Sequence, residues 1–209
     1  MMKKIDMNHW ERKEMYDFFK LYDLPRYQVT VDIDVTNLHR FVKEKNLSFY
    51  FSMMWVVMNE LNQIENFKYR IENDDVYLFD QVHPSFTDLI ENTNKFKIVN
   101  TLFDEDIENF VQCAKSKSKL QKNKFIVYDE EIRQDLVYIT VFPWATYTHV
   151  TQATQINSKD AIPRILWGKY RVVNDRIIMP LTIEAHHSFV DGYHMGLLIN
   201  KIEEKIEKL

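Results

Sequence analysis

The chain has 209 residues, 45% hydrophobic and 28% charged, with a formal net charge of -4, the balance of a folded globular protein and not of a disordered one. Its pI near 6.0 gives no global attraction to nucleic acid or to an anionic membrane, because counterion release needs clustered Lys and Arg. Cys113 is the single cysteine, so no intrachain disulfide can form, and a reducing compartment, the cytoplasm, is expected.

The N-terminal MMKKIDMNHWERKEMYDFF has basic residues but no apolar run after them, so it does not read as a secretory signal. YQVTVDI (27–33) is rich in β-branched and aromatic residues and predicts a strand. In DVTNLHRFVKEKN (34–46), Thr36 is expected to cap a helix with Leu38, Phe41 and Val42 on one face. Ser48 is expected to cap a second helix, apolar nearly all round until Asn59 and Glu60, and so deeply placed. Its FYFSMMWVVM segment (49–58) is about half of what a bilayer-spanning helix needs. DVYLFD (75–80) and FKIVN (96–100) predict strands, and DEDIENFVQCAK (104–115) predicts a helix with acids in its first turn and a stripe of Ile107, Phe110, Val111 and Ala114. LVYITVF (136–142), KYRVVN (169–174) and RIIMPLTIEA (176–185) predict further strands. In the last, Ile177, Met179, Leu181, Ile183 and Ala185 should face the core, and position 187 inherits their parity. After Gly192, Met195, Leu198, Ile199, Ile202, Ile206 and Leu209 follow helical spacing to the C-terminus.

The five prolines are scattered singly, and no repeat or linker interrupts the pattern, so residues 1–209 are expected to form one domain. Helices and strands interleave irregularly. That favours an α/β chain of the α+β type, a two-layer sandwich with a mixed β-sheet, over a doubly wound parallel sheet. Neither GxGxxG nor GxxxxGKS/T occurs, which argues against nucleotide binding through a glycine-rich loop.

The stretch EAHHSFVDGYHMG (184–196) joins the last strand to the last helix. A histidine at a strand end can act as a general base, because its pKa lies near working pH and a neutral ring nitrogen accepts a proton. His187 is the candidate. Asp191 is placed to orient the loop or the ring, and Gly192 lets the backbone turn into the helix. Taken alone, the same residues also read as core or interface histidines followed by a helix-capping aspartate. A metal site is disfavoured, since His186 and His187 point to opposite faces of a strand and no HExxH or CxxC spacing brings in His194.

WERKEMYDFF (10–19), FPWATYTHVT (142–151) and HHSFVDG together resemble the type A chloramphenicol acetyltransferase family, whose fold is that of the CoA-dependent acyltransferases. The likeness extends through FY at 49–50, NDDVYLFDQVHPSFT at 73–87, and WGKY followed by DRIIMPL. The acyltransferase core of 2-oxo-acid dehydrogenase complexes shares HHxxxDG, but its usual lipoyl domain and linker are missing from this sequence. The resemblance implies acetyl transfer from acetyl-CoA, as co-substrate, to chloramphenicol, an antibiotic-resistance activity needing no metal. It also implies a homotrimer with active sites between subunits. His187 is then the base, with Asp191 paired to Arg12 in a structural role. Phe18, Phe19, Leu24, Tyr27, Thr87 and Phe96 fall on the acceptor pocket, while Tyr50 and Tyr170 flank the adenine and Lys169 meets a phosphate. Phe19 stands where a tyrosine is usual, and Ser48 replaces a lysine of the coenzyme site.

The pattern breaks at the donor that stabilises the tetrahedral intermediate. His149 stands where the family has a serine, with Thr148 just before it, and Leu166 replaces a threonine. Three readings follow. His149 donates in place of the serine; or the site serves another alcohol or amine; or the chain is a non-catalytic small-molecule binder on the same fold.

Overall fold

The computed structural model describes residues 1–209. Its spine is β10 (Arg176–His186), which pairs antiparallel with β2 (Arg26–Asp34) from Ile178↔Asp34 to His186↔Arg26. On its other side β10 pairs with β8 (Arg164–Gly168) and, nearer its start, with β9 (Arg171–Val173). The sheet continues through β7 (Leu136–Phe142), β5 (His83–Leu89) and β6 (Phe96–Asn100), in the order β2-β10-β8-β7-β5-β6. Pairing is parallel between β5 and β7 and between β7 and β8, and antiparallel elsewhere, so the sheet is mixed, as expected. A second sheet of β1 (Met2–Lys4), β4 (Asp75–Phe79) and β3 (Tyr69–Glu72) is wholly antiparallel.

The helices are α1 (Lys13–Phe19), α2 (Thr36–Glu44), α3 (Phe49–Leu61), α4 (Ile107–Gln121), α5 (Tyr128–Glu131) and α6 (Gly192–Glu207), with a 3-10 turn at Glu65–Lys68. Because α3 is apolar on almost every side, it lies at the centre of a cluster of 40 buried residues. That cluster also takes in Met179, Leu181, Ile183 and Ala185 of β10, and Met195, Leu198, Ile202 and Ile206 of α6. Towards its end, the even-numbered face of β10 is polar instead. Thr182 meets Thr30, and Glu184 meets Arg26 and Arg164.

Several expectations need correction. Thr36 is the first residue of α2 and not its cap; its hydroxyl bonds Asp34 and accepts from the Ile177 N–H, tying the helix start to β10. Ser48 does occupy the N-cap of α3, but its side chain makes no capping hydrogen bond. β1, β3, β5 and β8 were not predicted: β5 opens on His-Pro, and β8 is a five-residue strand ending on glycine. Strand β10 stops at His186 and the chain turns, so parity does not carry to position 187.

Candidate active site

The turn after β10 is held from three sides. Asp191 is the N-cap of α6 and its Oδ1 accepts from the N–H groups of Tyr193 (3.1 Å) and His194 (3.4 Å). Its second oxygen accepts from Arg12 Nη1 at 3.2 Å, while Arg12 Nε reaches the Ser188 carbonyl at 3.4 Å. His194 closes a capping box, its Nδ1 lying 3.4 Å from the Asp191 backbone nitrogen, and the same ring nitrogen stands 2.8 Å from Asp191 Oδ1. Partial burial opposes ionisation of Asp191, but the charges and hydrogen bonds of His194 and Arg12 prevail and hold its carboxyl below the usual range. Cap and charge partner are thus one residue.

The two adjacent histidines have separate fates. His186 is 1% exposed. Its Nε2 lies 2.9 Å from the Ser158 carbonyl, which can only accept, so the proton sits there and Nδ1 is left to accept from the Ser188 N–H at 3.2 Å. Burial pushes its pKa down to about 4, which keeps the ring neutral at physiological pH. His187 instead presents its ring between two aromatic planes. Phe19 stacks on it at 4.1 Å and 10°, and Tyr27 at 4.3 Å and 27°. Its N–H donates to the Pro25 carbonyl at 2.8 Å. Nδ1 is buried without a partner; Nε2 is not sealed in the same way. The arrangement fixes the plane of an imidazole and leaves an edge for an incoming proton donor.

Tyr27 OH, on the residue stacked against this ring, also lacks a partner, as do Ser188 Oγ in the turn and Nη2 of Arg12, which bonds the turn through its other nitrogens. Burial, with the Asp191 charge adding to it, pushes the Tyr27 phenol up to about 12, so it stays protonated. Phe18 is exposed and packs edge-on against Phe19 at 5.0 Å. Leu24 is also exposed.

The remaining expected residues gather elsewhere. A cavity of about 760 Å³ is lined by Ser48, Tyr50, Thr87, Phe96, Leu166, Lys169 and Tyr170 together with Phe142, Trp144 and Trp167. None of His187, Phe19 or Tyr27 lines it. Tyr50 donates its hydroxyl to the Thr87 carbonyl at 2.7 Å, leaving its ring for the cavity. Tyr170 stands edge-on to His39 and Phe49, at 5.5 and 6.0 Å. Leu166 is 4% exposed and offers the cavity only hydrocarbon, as its side chain dictates.

His149 and Thr148 are exposed, on the segment that follows β7. The next residue, Val150, lines the cavity. Gln28 of β2 donates its amide to the Val150 carbonyl at 2.6 Å and comes within 3.4 Å of His149 Nε2. Sequence reasoning missed Tyr147, whose hydroxyl donates to the Leu166 carbonyl at 2.9 Å and accepts from Thr182 at 3.1 Å. It also missed Trp144 and the capping role of His194, although the three-residue spacing from Asp191 was a legible signal for the latter.

A mixed sheet that ends in a histidine turn, with an apolar cavity opening at neighbouring strands, has the architecture of the CoA-dependent acyltransferases. Solved structures with that fold include a probable dihydrolipoamide acetyltransferase from Listeria monocytogenes, at a TM-score of 0.65 and 15% identity over 99% of this chain and 94% of its own. A solved chloramphenicol acetyltransferase superimposes far more closely, with a TM-score of 0.91 and 26% identity over 99% of this chain and 100% of its own. The sequence matches the profile of the chloramphenicol acetyltransferase family over residues 1–203, and the chain belongs to that family. Relatives so named include one from Clostridium perfringens, 27% identical over 99% of both chains, and one from Proteus mirabilis, 25% identical over 96% of this chain and 92% of its own.

Proposed function

We propose that the protein transfers the acetyl group of acetyl-CoA to a hydroxyl of chloramphenicol, with His187 as general base. The observation that carries this is the His187 ring itself, clamped between Phe19 and Tyr27 with no protein group bonded to either nitrogen. The imidazole removes the proton of the acceptor hydroxyl as its oxygen attacks the thioester carbonyl. The tetrahedral intermediate then collapses, the carbon–sulfur bond breaks, and the imidazolium returns the proton to the departing thiolate. No covalent acyl-enzyme is needed when both substrates are held together.

Tyr50, Lys169 and Tyr170 hold the coenzyme in this reading, with Ser48 giving no cation to its phosphates. Phe18, Phe19, Leu24, Tyr27, Thr87, Phe96 and Leu166 form the acceptor pocket. His149 donates to the oxyanion, with Thr148 beside it. A homotrimer accounts for the separation of His187 from the cavity, since the ring of one subunit then faces the cavity of the next. The cytoplasm, where an exposed thiol such as Cys113 persists, is the matching compartment.

Leu166 and Phe19 favour one variation, an acceptor alcohol or amine less polar than chloramphenicol near those two side chains. A thiol-release assay with acetyl-CoA across a panel of acceptors tests both readings. Turnover with chloramphenicol supports the first, turnover with other acceptors alone supports the variation, and no turnover with any acceptor overturns both.

A further inference from the structure

Beneath the histidine turn lies a cluster of charges that the chemistry above does not use. Arg26 opens β2, and its side chain is 2% exposed. Its Nε donates to Glu184 Oε1 at 2.6 Å, Nη1 to the Asp160 carbonyl at 2.6 Å, and Nη2 to the Ile162 carbonyl at 2.8 Å. Arg164, at the start of β8, donates Nη1 to the same Glu184 oxygen at 2.7 Å and Nη2 to Asp160 Oδ2 at 2.5 Å. Two guanidinium groups face two carboxylates, so the cluster is neutral as a unit. Burying such a set gains little net stability, because desolvation offsets most of the attraction; fixing a register is the better-attested use.

The register fixed here is that of the histidine pair. The cluster joins the end of β10, the starts of β2 and β8, and the segment 157–163. Those same pieces supply the main-chain anchors of both histidines. Pro25, next to Arg26, accepts from the His187 N–H, and Ser158, two residues before Asp160, accepts from His186 Nε2. We propose that Arg26, Glu184, Arg164 and Asp160 form a positioning network that sets where the His187 ring stands, through Pro25 and Ser158, without any of the four touching a reacting atom. The inference rests on the general-base reading of His187.

Four variants test it: E184Q, R164Q, D160N and the double variant E184Q/R164Q. E184Q leaves two cations against one carboxylate, whereas the double variant restores neutrality with Arg26 and Asp160. In E184Q and D160N, kcat should fall roughly ten- to a hundredfold with KM for both substrates within about twofold, as for a displaced catalytic group. The double variant should recover part of the loss, so the effects of E184Q and R164Q do not add. The His186 Nε2–H proton resonance, protected in the unaltered protein by Ser158, should be lost in E184Q. Folded E184Q and D160N proteins with kcat unchanged, or strictly additive effects, overturn the proposal. If the unaltered protein transfers no acetyl group, the general-base reading fails by itself. The resonance still decides the network: its loss in E184Q upholds the coupling, and its persistence refutes it.

Discussion

Arg12 Nη1 donates to Asp191 Oδ2 at 3.2 Å, joining residues 179 positions apart at the two ends of the chain. The Arg12 side chain is 13% exposed, so removing the carboxylate leaves a largely buried cation without its partner. Asp191→Asn keeps a capping oxygen for α6 and loses the charge. We expect kcat to fall roughly tenfold or more through loosening of the turn. Asp191→Ala should also lose about 1 kcal/mol of cap stability, read as a lower Tm than that of the Asn variant.

The buried His186 makes stability depend on pH. Its folded pKa is pushed down to about 4 by burial, from an ordinary value of 6.5. Between those values the unfolded chain binds a proton that the folded chain refuses. The contribution is therefore fully present above pH 6.5, declines as pH falls to about 4, and is flat below. The loss amounts to roughly 3 kcal/mol at most. Urea unfolding at pH 7, 5.5 and 4 should show it, and His186→Gln, which keeps a donor towards Ser158, should have a shallower pH slope.

Much of this molecule is legible in its sequence. Met179, Leu181 and Ile183 alternate with Thr182 and Glu184 because one face of β10 meets the apolar core and the other a polar layer, and the helical spacing from Met195 to Ile206 comes from burial on one face; both leave a periodic trace. β8 escaped because it is only five residues long and buried at every position, with no alternation of polarity to mark it, and β5 because His83-Pro84 reads locally as a break. Asp191 and His187 were marked by residue type, whereas Gly192 is the first residue of α6 with no positive φ and open space where a Cβ would stand, so the turn does not require a glycine there. The aromatic clamp on His187 and the Arg26–Glu184 contact carry no such mark, because they join segments 168 and 158 positions apart (187 − 19 and 184 − 26) and no local pattern encodes such meetings.

His149 tests the oxyanion assignment. His149→Ala should lower turnover by about a hundred- to a thousandfold with KM little changed. His149→Ser, which supplies a hydroxyl donor, should restore a large part of it. A folded His149→Ala protein with the original rate removes His149 from the chemistry.

The coenzyme side makes a prediction of gain. Ser48 and Lys169 both line the cavity. Lys169→Ala should raise KM for acetyl-CoA several-fold, while Ser48→Lys should lower it, with kcat little altered in either. Measurements at two salt concentrations should show the Ser48→Lys gain shrinking at the higher one.

Gly168 marks a close approach. A Cβ there would lie 2.8 Å from Tyr147 Cε1 and 2.9 Å from Pro180 Cγ. Gly168→Ala should therefore destabilise by about 1–3 kcal/mol and displace Tyr147 from the Leu166 carbonyl. Thermal unfolding gives the first effect directly.

The central claim is that the His187 imidazole takes the proton of the acceptor. Steady-state acetyl transfer from acetyl-CoA to chloramphenicol, compared between the unaltered protein and a folded His187→Ala variant, tests it most directly. The account predicts measurable transfer in the first and a loss of about a hundredfold to ten-thousandfold in the second. Equal rates in the two proteins would contradict it.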